Sequence, residues 1–206
     1  MIEITQVEVM GFKHAIRGMR NPLNSWDKSD SSDSNIGDND KSLMERLSKA
    51  GTDHRKFMRM ITVYLDINAP LYWWKEFDTY KVGTVANSCS TMHKIQAKEF
   101  VMEDFSFDHL NEKSIEKVVK PTLEMLNEYR NLFIETKNKD YWWQMIQLLP
   151  SSYNQKRTVS LNYEVLANIY KSRKAHKLDE WRVFCKWIES LPLSHIITHE
   201  VKEVGD

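Results

Sequence analysis

Few side chains in this 206-residue chain stand where their type and spacing suggest chemistry. The stretch NSCSTMH, residues 87–93, sets Cys89 between two serines with Met92 and His93 close behind. A nucleophilic thiolate needs a cation or helix dipole to lower its pKa, and a base within hydrogen-bond reach. Lys81 and His93 are the nearby groups in sequence, with no obvious helix N-terminus behind the thiol, so a small buried cysteine is the expectation. His195 and His199 in SHIITH are four apart, a spacing that can put two imidazoles on one helix face for a metal. Without an HExxH glutamate or an evident third ligand the spacing reads as coincidence, and no metal site is expected. The basic stretch KSRKAHK, residues 171–177, ends a helix, where cations complement the dipole. Trp73-Trp74 and Trp142-Trp143 offer planar surfaces for a cofactor ring, although a core or a subunit interface is the more frequent use. The sequence contains no GxGxxG, GxxxxGK[ST] or GxSxG.

The elements that must position these groups read as α+β. Alternation in Ile2 to Val9 predicts a strand with one face buried, and a short helix follows around Phe12 to Met19. Residues 21–42, NPLNSWDKSDSSDSNIGDNDKS, hold too little apolar surface to offset their ordering entropy and predict a long polar loop. Trp26 within it requires something to pack on. Leu43 to Lys49 predicts a short helix ending at Gly51, and ITVYLDI (residues 61–67) a strand. Pro70 then opens a helix, PLYWWKEFDTY, that Gly83 breaks. Beyond a polar segment at 103–114 the pattern is helical throughout. The segments are Ser114 to Lys137 with a break or kink at Pro121, YWWQMIQLL capped by Asp140, Val159 to Lys171 after a turn at Ser151 to Gln155, and Leu178 to Leu191. The tail from about 199 to 206 is expected to be flexible. The sum is a single domain, residues 1–206, with a small, mostly antiparallel sheet packed with several helices.

Composition narrows the function classes. Twenty-nine basic residues balance 29 acidic ones, so net charge gives no reason to expect nucleic acid or a membrane surface as partner. No apolar run approaches the ~20 residues that span a bilayer, no signal-peptide core opens the chain, and two cysteines make neither a disulfide framework nor a zinc site. A cytoplasmic protein is the expectation.

Three blocks in order resemble one family, the flavin-dependent thymidylate synthases, also called thymidylate synthase complementing proteins. The first is a histidine followed by a strand and a Pro-led helix, TDHRKFMRMITVYLDINAPLYWWKEF. The second aligns the family signature, RHRxxSxxxxSxRY in outline, with TYKVGTVANSCSTMH, at one residue longer. The third is QLLP, a turn, and then N-x5-N-x4-R on Asn162, Asn168 and Arg173. The likeness covers roughly residues 50–190. It implies that His54, Lys81, Asn162 and Asn168 contact FAD. It also implies that Ser90 and Arg173 meet the pyrimidine of dUMP, with Ser90 orienting or polarising it, and that Cys89 is incidental. An arginine suits such a site because its planar fork can hydrogen-bond carbonyl oxygens bidentately. The implied activity is reductive methylation of dUMP to dTMP with NADPH and methylenetetrahydrofolate as co-substrates, in a homotetramer with sites between subunits.

The sequence also departs from the family. The leading Arg-His-Arg is Thr79-Tyr80-Lys81, the later signature arginine is Met92, its final tyrosine is His93, and the preceding glutamine is Glu76. No arginine stands in the helix before Leu149-Pro150, where the family has one for the nucleotide phosphate. At ~1.5–3 kcal/mol per hydrogen bond to a charged group, such losses weaken a nucleotide site by several kcal/mol unless Arg17, Arg20, Lys28 or Arg157 compensates. The alternative is a divergent homologue that keeps the fold and binds another nucleotide or partner, non-catalytic or with an altered substrate. A third possibility is an unrelated α+β interaction protein with a reactive Cys89.

Overall fold

The computed structural model describes residues 2–199. In chain order the elements are β1 (Glu3–Met10), α1 (Phe12–Arg20), α2 (Asp38–Lys49), β2 (Thr62–Pro70), α3 (Leu71–Phe77), β3 (Val85–Ser88), α4 (Thr91–Lys94), α5 (Glu112–Ser114), α6 (Lys120–Thr136), α7 (Lys139–Leu148), β4 (Asn154–Asn162), α8 (Tyr163–Arg173), α9 (Asp179–Glu189) and α10 (His195–Thr198). The strands form one small antiparallel sheet in the order β1-β2-β4-β3, among helices, so the α+β class holds. No helix among the described residues is long and apolar enough to cross a membrane.

The two inner strands carry the alternation that a sheet with one buried face requires. Val63, Leu65, Ile67 and Ala69 of β2 are buried, as are Val159 and Leu161 of β4, while edge strand β3 is exposed throughout. Residues 154–162 correct the sequence reading, which has a turn and then a helix beginning at Val159. Apolar side chains at 159, 161, 165, 166 and 169 satisfy a helical period, yet Asn162 ends the strand and helix only follows it. Pro70 is likewise the last residue of β2 and the N-cap of α3, one position earlier than a first-turn proline. The cap of α7 is Asn138, whose Oδ1 accepts from the Asp140 N–H at 3.0 Å, so Asp140 lies inside the first turn. Pro121 does break its helix. Its missing N–H cannot close the bond to residue 117, and the backbone passes through a π-helical turn, Ile115–Val119, before α6 begins.

The chain divides into two compact units, with boundaries inside β2 and β4. One unit holds Ile67–Thr79 and Asn87–Arg157 together with the start of the chain as far as Glu3, the first residue of β1. Its core has Ile95, Phe100 and Phe105 around Val119, Leu123 and Leu126 of the α6 segment and Met145 of α7. Trp73 and Trp74 are fully buried, and the Trp74 indole N–H donates to the Gln155 carbonyl at 2.8 Å, so this pair serves the core. Trp143, by contrast, is about half exposed, at 47%.

The second unit holds Ile4–Asp66, Tyr80–Ala86 and the chain from Thr158 onward. Helix α8 lies at its centre, against a 3-10 segment (Arg55–Met60), α9 and α10, and six of its first eight residues are buried apolar or aromatic side chains. The polar loop belongs here and is organised where composition alone suggests a mobile insertion. Asp40, fully buried, accepts from Arg20 Nε at 2.7 Å and from the Ser29 and Ser31 hydroxyls at 2.7 Å each. Asp30 accepts from the Asn39 and Asp40 N–H groups and so feeds the first turn of α2, which begins at Asp38, five residues before the apolar pattern does. Burial pushes the Asp40 carboxyl up, but the two serine hydroxyls and Arg20 outweigh it and hold the group below its ordinary value. Trp26 is half exposed and anchors its indole N–H on Asn21 Oδ1 at 2.9 Å. Gly51 follows α2 with φ +99°, the left-handed residue expected after a helix C-terminus. The tail predicted to be flexible lies outside the described residues from 200 onward.

Candidate active site

Asn162 shows how local sequence builds the site. It is the N-cap of α8, and its Oδ1 accepts from the N–H groups of Glu164 and Val165 at 3.1 Å each. The amide Nδ2 faces Gly83, where an added Cβ would stand 2.8 Å from it. Gly83 has φ +79° and no side chain, which lets the backbone of the 80–86 segment approach the helix cap.

In the first turn of α8, Glu164 is buried and paired with two arginines from the 3-10 segment. Arg55 Nε lies 3.3 Å from its Oε1, and Arg59 donates through both Nε and Nη2. Burial pushes the Glu164 carboxyl up, and Arg59 and Arg55 together more than reverse that, so it is ionised well into acid. The N-terminal end of the helix dipole favours the same charge. Arg55 extends past Glu164 and donates Nη2 to Asn168 Oδ1 at 3.1 Å, which fixes the exposed Asn168 amide with its Nδ2 as the remaining donor. His54 precedes Arg55 and is exposed.

At the other end of α8, Arg173 Nε donates to the Tyr80 hydroxyl at 3.0 Å, and its guanidinium stands 4.8 Å from the ring centroid of the fully buried Trp181. A planar cation against two aromatic rings loses little further rotamer freedom when it binds a ligand. Lys81, next to Tyr80, is exposed.

Within this unit the three sequence blocks therefore meet on one helix. The residue after His54 holds Asn168, Gly83 of the segment aligned with the signature lies on Asn162, and Tyr80 of that segment holds Arg173. Sequence reasoning missed Arg55, Arg59, Glu164, Tyr80 and Trp181. Arg55 had a signal in its place beside His54, and Tyr80 in the middle of the signature, whereas nothing in the sequence couples Arg173 to Trp181.

Ser90 belongs to the other unit, where it is the N-cap of α4 and its Oγ accepts from the His93 N–H at 3.1 Å. Cys89 is exposed, which corrects the expectation of a buried thiol. Its N–H donates to the Lys156 carbonyl at 2.9 Å and its own carbonyl accepts from Gln155 Nε2 at 2.8 Å, so the backbone is engaged while the side chain faces out. Cys185 is the buried thiol, its pKa pushed up to about 12 by burial. Two of the cations weighed as compensation are committed, Arg20 to buried Asp40 and Arg157 to Asp78 at 2.7 Å and to the face of Trp74. Among the described residues no cluster of His, Cys, Asp or Glu could hold a metal.

No family model matches the sequence, and no curated protein does. Solved structures do. Thymidylate synthase X from Helicobacter pylori with FAD and dUMP is similar at TM-score 0.72 and 21% identity, over 97% of this chain and 98% of that one. A second structure, of the Helicobacter pylori flavin-dependent thymidylate synthase complexed with FAD and dUMP, gives 0.71 and 21%, over 95% and 98%. The fold is that of the flavin-dependent thymidylate synthases. The UMP/dUMP methylase PolB from Streptomyces cacaoi, bound with 5-Br dUMP, is also similar, at 0.64 and 13% identity over 97% and 94% of the two chains. The synthase fold thus spans nearly the whole chain, and the N-x5-N-x4-R helix lies inside it.

Proposed function

We propose that this chain is a flavin-dependent thymidylate synthase-like enzyme that takes FAD and dUMP. The observation that carries the proposal is the convergence of the three blocks on α8 within a synthase-like fold. FAD offers carbonyl oxygens, ring nitrogens and a diphosphate, and so asks for N–H donors and positive charge. His54, Lys81, Asn162 and Asn168 supply donors of that kind, and the nearby Glu164 carboxylate faces two guanidiniums, so it does not oppose an anion. The fit is sound in kind. When bound, FAD would supply the redox chemistry that NADPH feeds, and methylenetetrahydrofolate would supply the one-carbon unit.

The chain's own residues bind and orient. Arg173, held by Tyr80 and Trp181, would present its fork to the pyrimidine carbonyls. Ser90 would orient the same base through its hydroxyl, which already serves as a helix cap. The same proposal takes residues 1–206 as a single domain of a cytoplasmic homotetramer.

A second reading has its own support. The nucleotide-phosphate arginines are replaced, and Arg20 and Arg157 are held in ion pairs. A homologue with an altered uridylate substrate fits that loss, and a methylase of UMP and dUMP is among the structural neighbours. Incubation with FAD, NADPH and methylenetetrahydrofolate, with dUMP or UMP supplied separately, distinguishes the readings by product chromatography. Formation of dTMP supports the synthase, a methylated product from UMP supports the altered substrate, and no nucleotide product from either overturns both.

A further inference from the structure

Between α1 and the polar loop, inside the second unit, lies a cavity of about 480 Å3, which falls within the ~300–1,000 Å3 range of small-molecule sites. Phe12 and Ile16, four apart on one face of α1, and Ile36 of the loop give it apolar walls. Trp26 borders it as well. Its indole N–H is taken by Asn21, which fixes the ring, yet the side chain is half exposed. The ring meets no other ring and no cation among the described residues. The loop wall is held by its own hydrogen bonds. Ser29 and Ser31 donate to buried Asp40, and the Ser32 N–H donates to the Asn35 carbonyl at 2.8 Å while the Asn35 N–H donates to Ser32 Oγ at 3.2 Å.

Three cations of α1 line the same cavity, and two of them are committed. Lys13 pairs with Asp33, and that contact holds the Asp33 carboxyl below its ordinary value, so the two charges cancel. Arg20 pairs with Asp40 and donates to the Ser25 carbonyl at 3.1 Å. Arg17 stands between them along the helix. It is exposed and has no hydrogen bond or ion pair among the described residues. The Asn35 side-chain amide also lacks a hydrogen bond there.

We propose that this cavity binds a small planar aromatic carboxylate, its ring against Trp26 and its carboxylate on Arg17. One uncompensated guanidinium matches a monoanion in charge, and its fork matches two carboxylate oxygens bidentately. A fixed indole between aliphatic walls favours a flat ring, and little freedom remains for it to lose on binding. The Asn35 amide offers both a donor and an acceptor to a polar ring substituent. The site is independent of the flavin and nucleotide proposal, because none of the residues assigned there lines it.

Calorimetric titration of the full chain with benzoate, indole-3-acetate and 2-naphthoate, at low ionic strength and near-neutral pH, tests it. The expected result is saturable 1:1 binding of at least one of these acids, weakened about tenfold in Arg17→Gln and in Trp26→Leu. The alcohol that corresponds to the acid bound should be at least tenfold weaker. Lys117→Gln, in the other unit, should bind as the unaltered chain does. Arg17→Gln removes an exposed, unpaired side chain and should fold normally by circular dichroism, so it carries the test even if Trp26→Leu loosens the loop. Hydrogen exchange gives a second readout. The acid should slow exchange of the amides from Ser29 to Ile36 in the unaltered chain, and not in Arg17→Gln at the same concentration. No saturable binding of any of the three acids at millimolar concentration would overturn the proposal, as would equal affinity in folded Arg17→Gln or equal binding of the alcohol.

Discussion

The contact that most constrains ligand chemistry is the one between Arg173 and its aromatic neighbours. Without the Tyr80 acceptor the guanidinium loses a directional hydrogen bond at 3.0 Å that ring contacts, being weaker and less directional, do not replace. Tyr80→Phe should therefore raise the dissociation constant for dUMP by about tenfold, corresponding to ~1.4 kcal/mol, in protein loaded with FAD. Thermal unfolding should change little, because Tyr80 is only partly buried. Equal dUMP affinity in the variant would show that Arg173 is positioned without Tyr80. The cap is a separate matter. Asn162→Ala removes the acceptor for two N–H groups and should cost about 1 kcal/mol in urea unfolding, most of it restored in Asn162→Asp.

At the scale of elements, the polar loop depends on one buried carboxylate. Removing the Asp40 side chain leaves Arg20 charged and buried at 5% exposure, and breaking such a pair costs about 3–5 kcal/mol. Asp40→Ala should show that loss by chemical denaturation, together with faster proteolysis between Ser29 and Gly37. The pH dependence follows from the same geometry. The folded values for Asp40 and Glu164 lie below the ordinary 3.8 and 4.5, so the unfolded chain takes up protons first as pH falls. The stability they contribute is complete above about pH 5 and is lost as pH drops through the folded values, a decline that Asp40→Ala should flatten. The loop also marks where the sequence stopped being legible. Its low apolar content is evident, but the Arg20–Asp40 pair joins residues 20 apart and leaves no local pattern. The β4 segment failed differently, since Val159 and Leu161 fit a strand and a helix equally well until β2 is beside them. Strand β2, the helix after Pro70 and the break at Pro121 were legible because each rests on local pattern or on proline's missing N–H.

For the whole molecule, the spacing N-x5-N-x4-R was the part of the candidate site that sequence expressed, because Asn162 caps the helix that carries Asn168 and Arg173 and residue count fixes their geometry along it. Arg55, Glu164 and Trp181, which secure that helix face, come from segments whose meeting depends on the fold. The central claim is that a synthase-like fold keeps a flavin and nucleotide site on α8 despite the missing signature arginines. A visible absorbance titration of the purified protein with FAD, followed by dUMP, tests it most directly. The account predicts a protein-bound flavin spectrum that shifts when dUMP is added and loses that shift in Arg173→Ala. No flavin uptake at tens of micromolar FAD would contradict it, and the fold would then serve a ligand other than flavin.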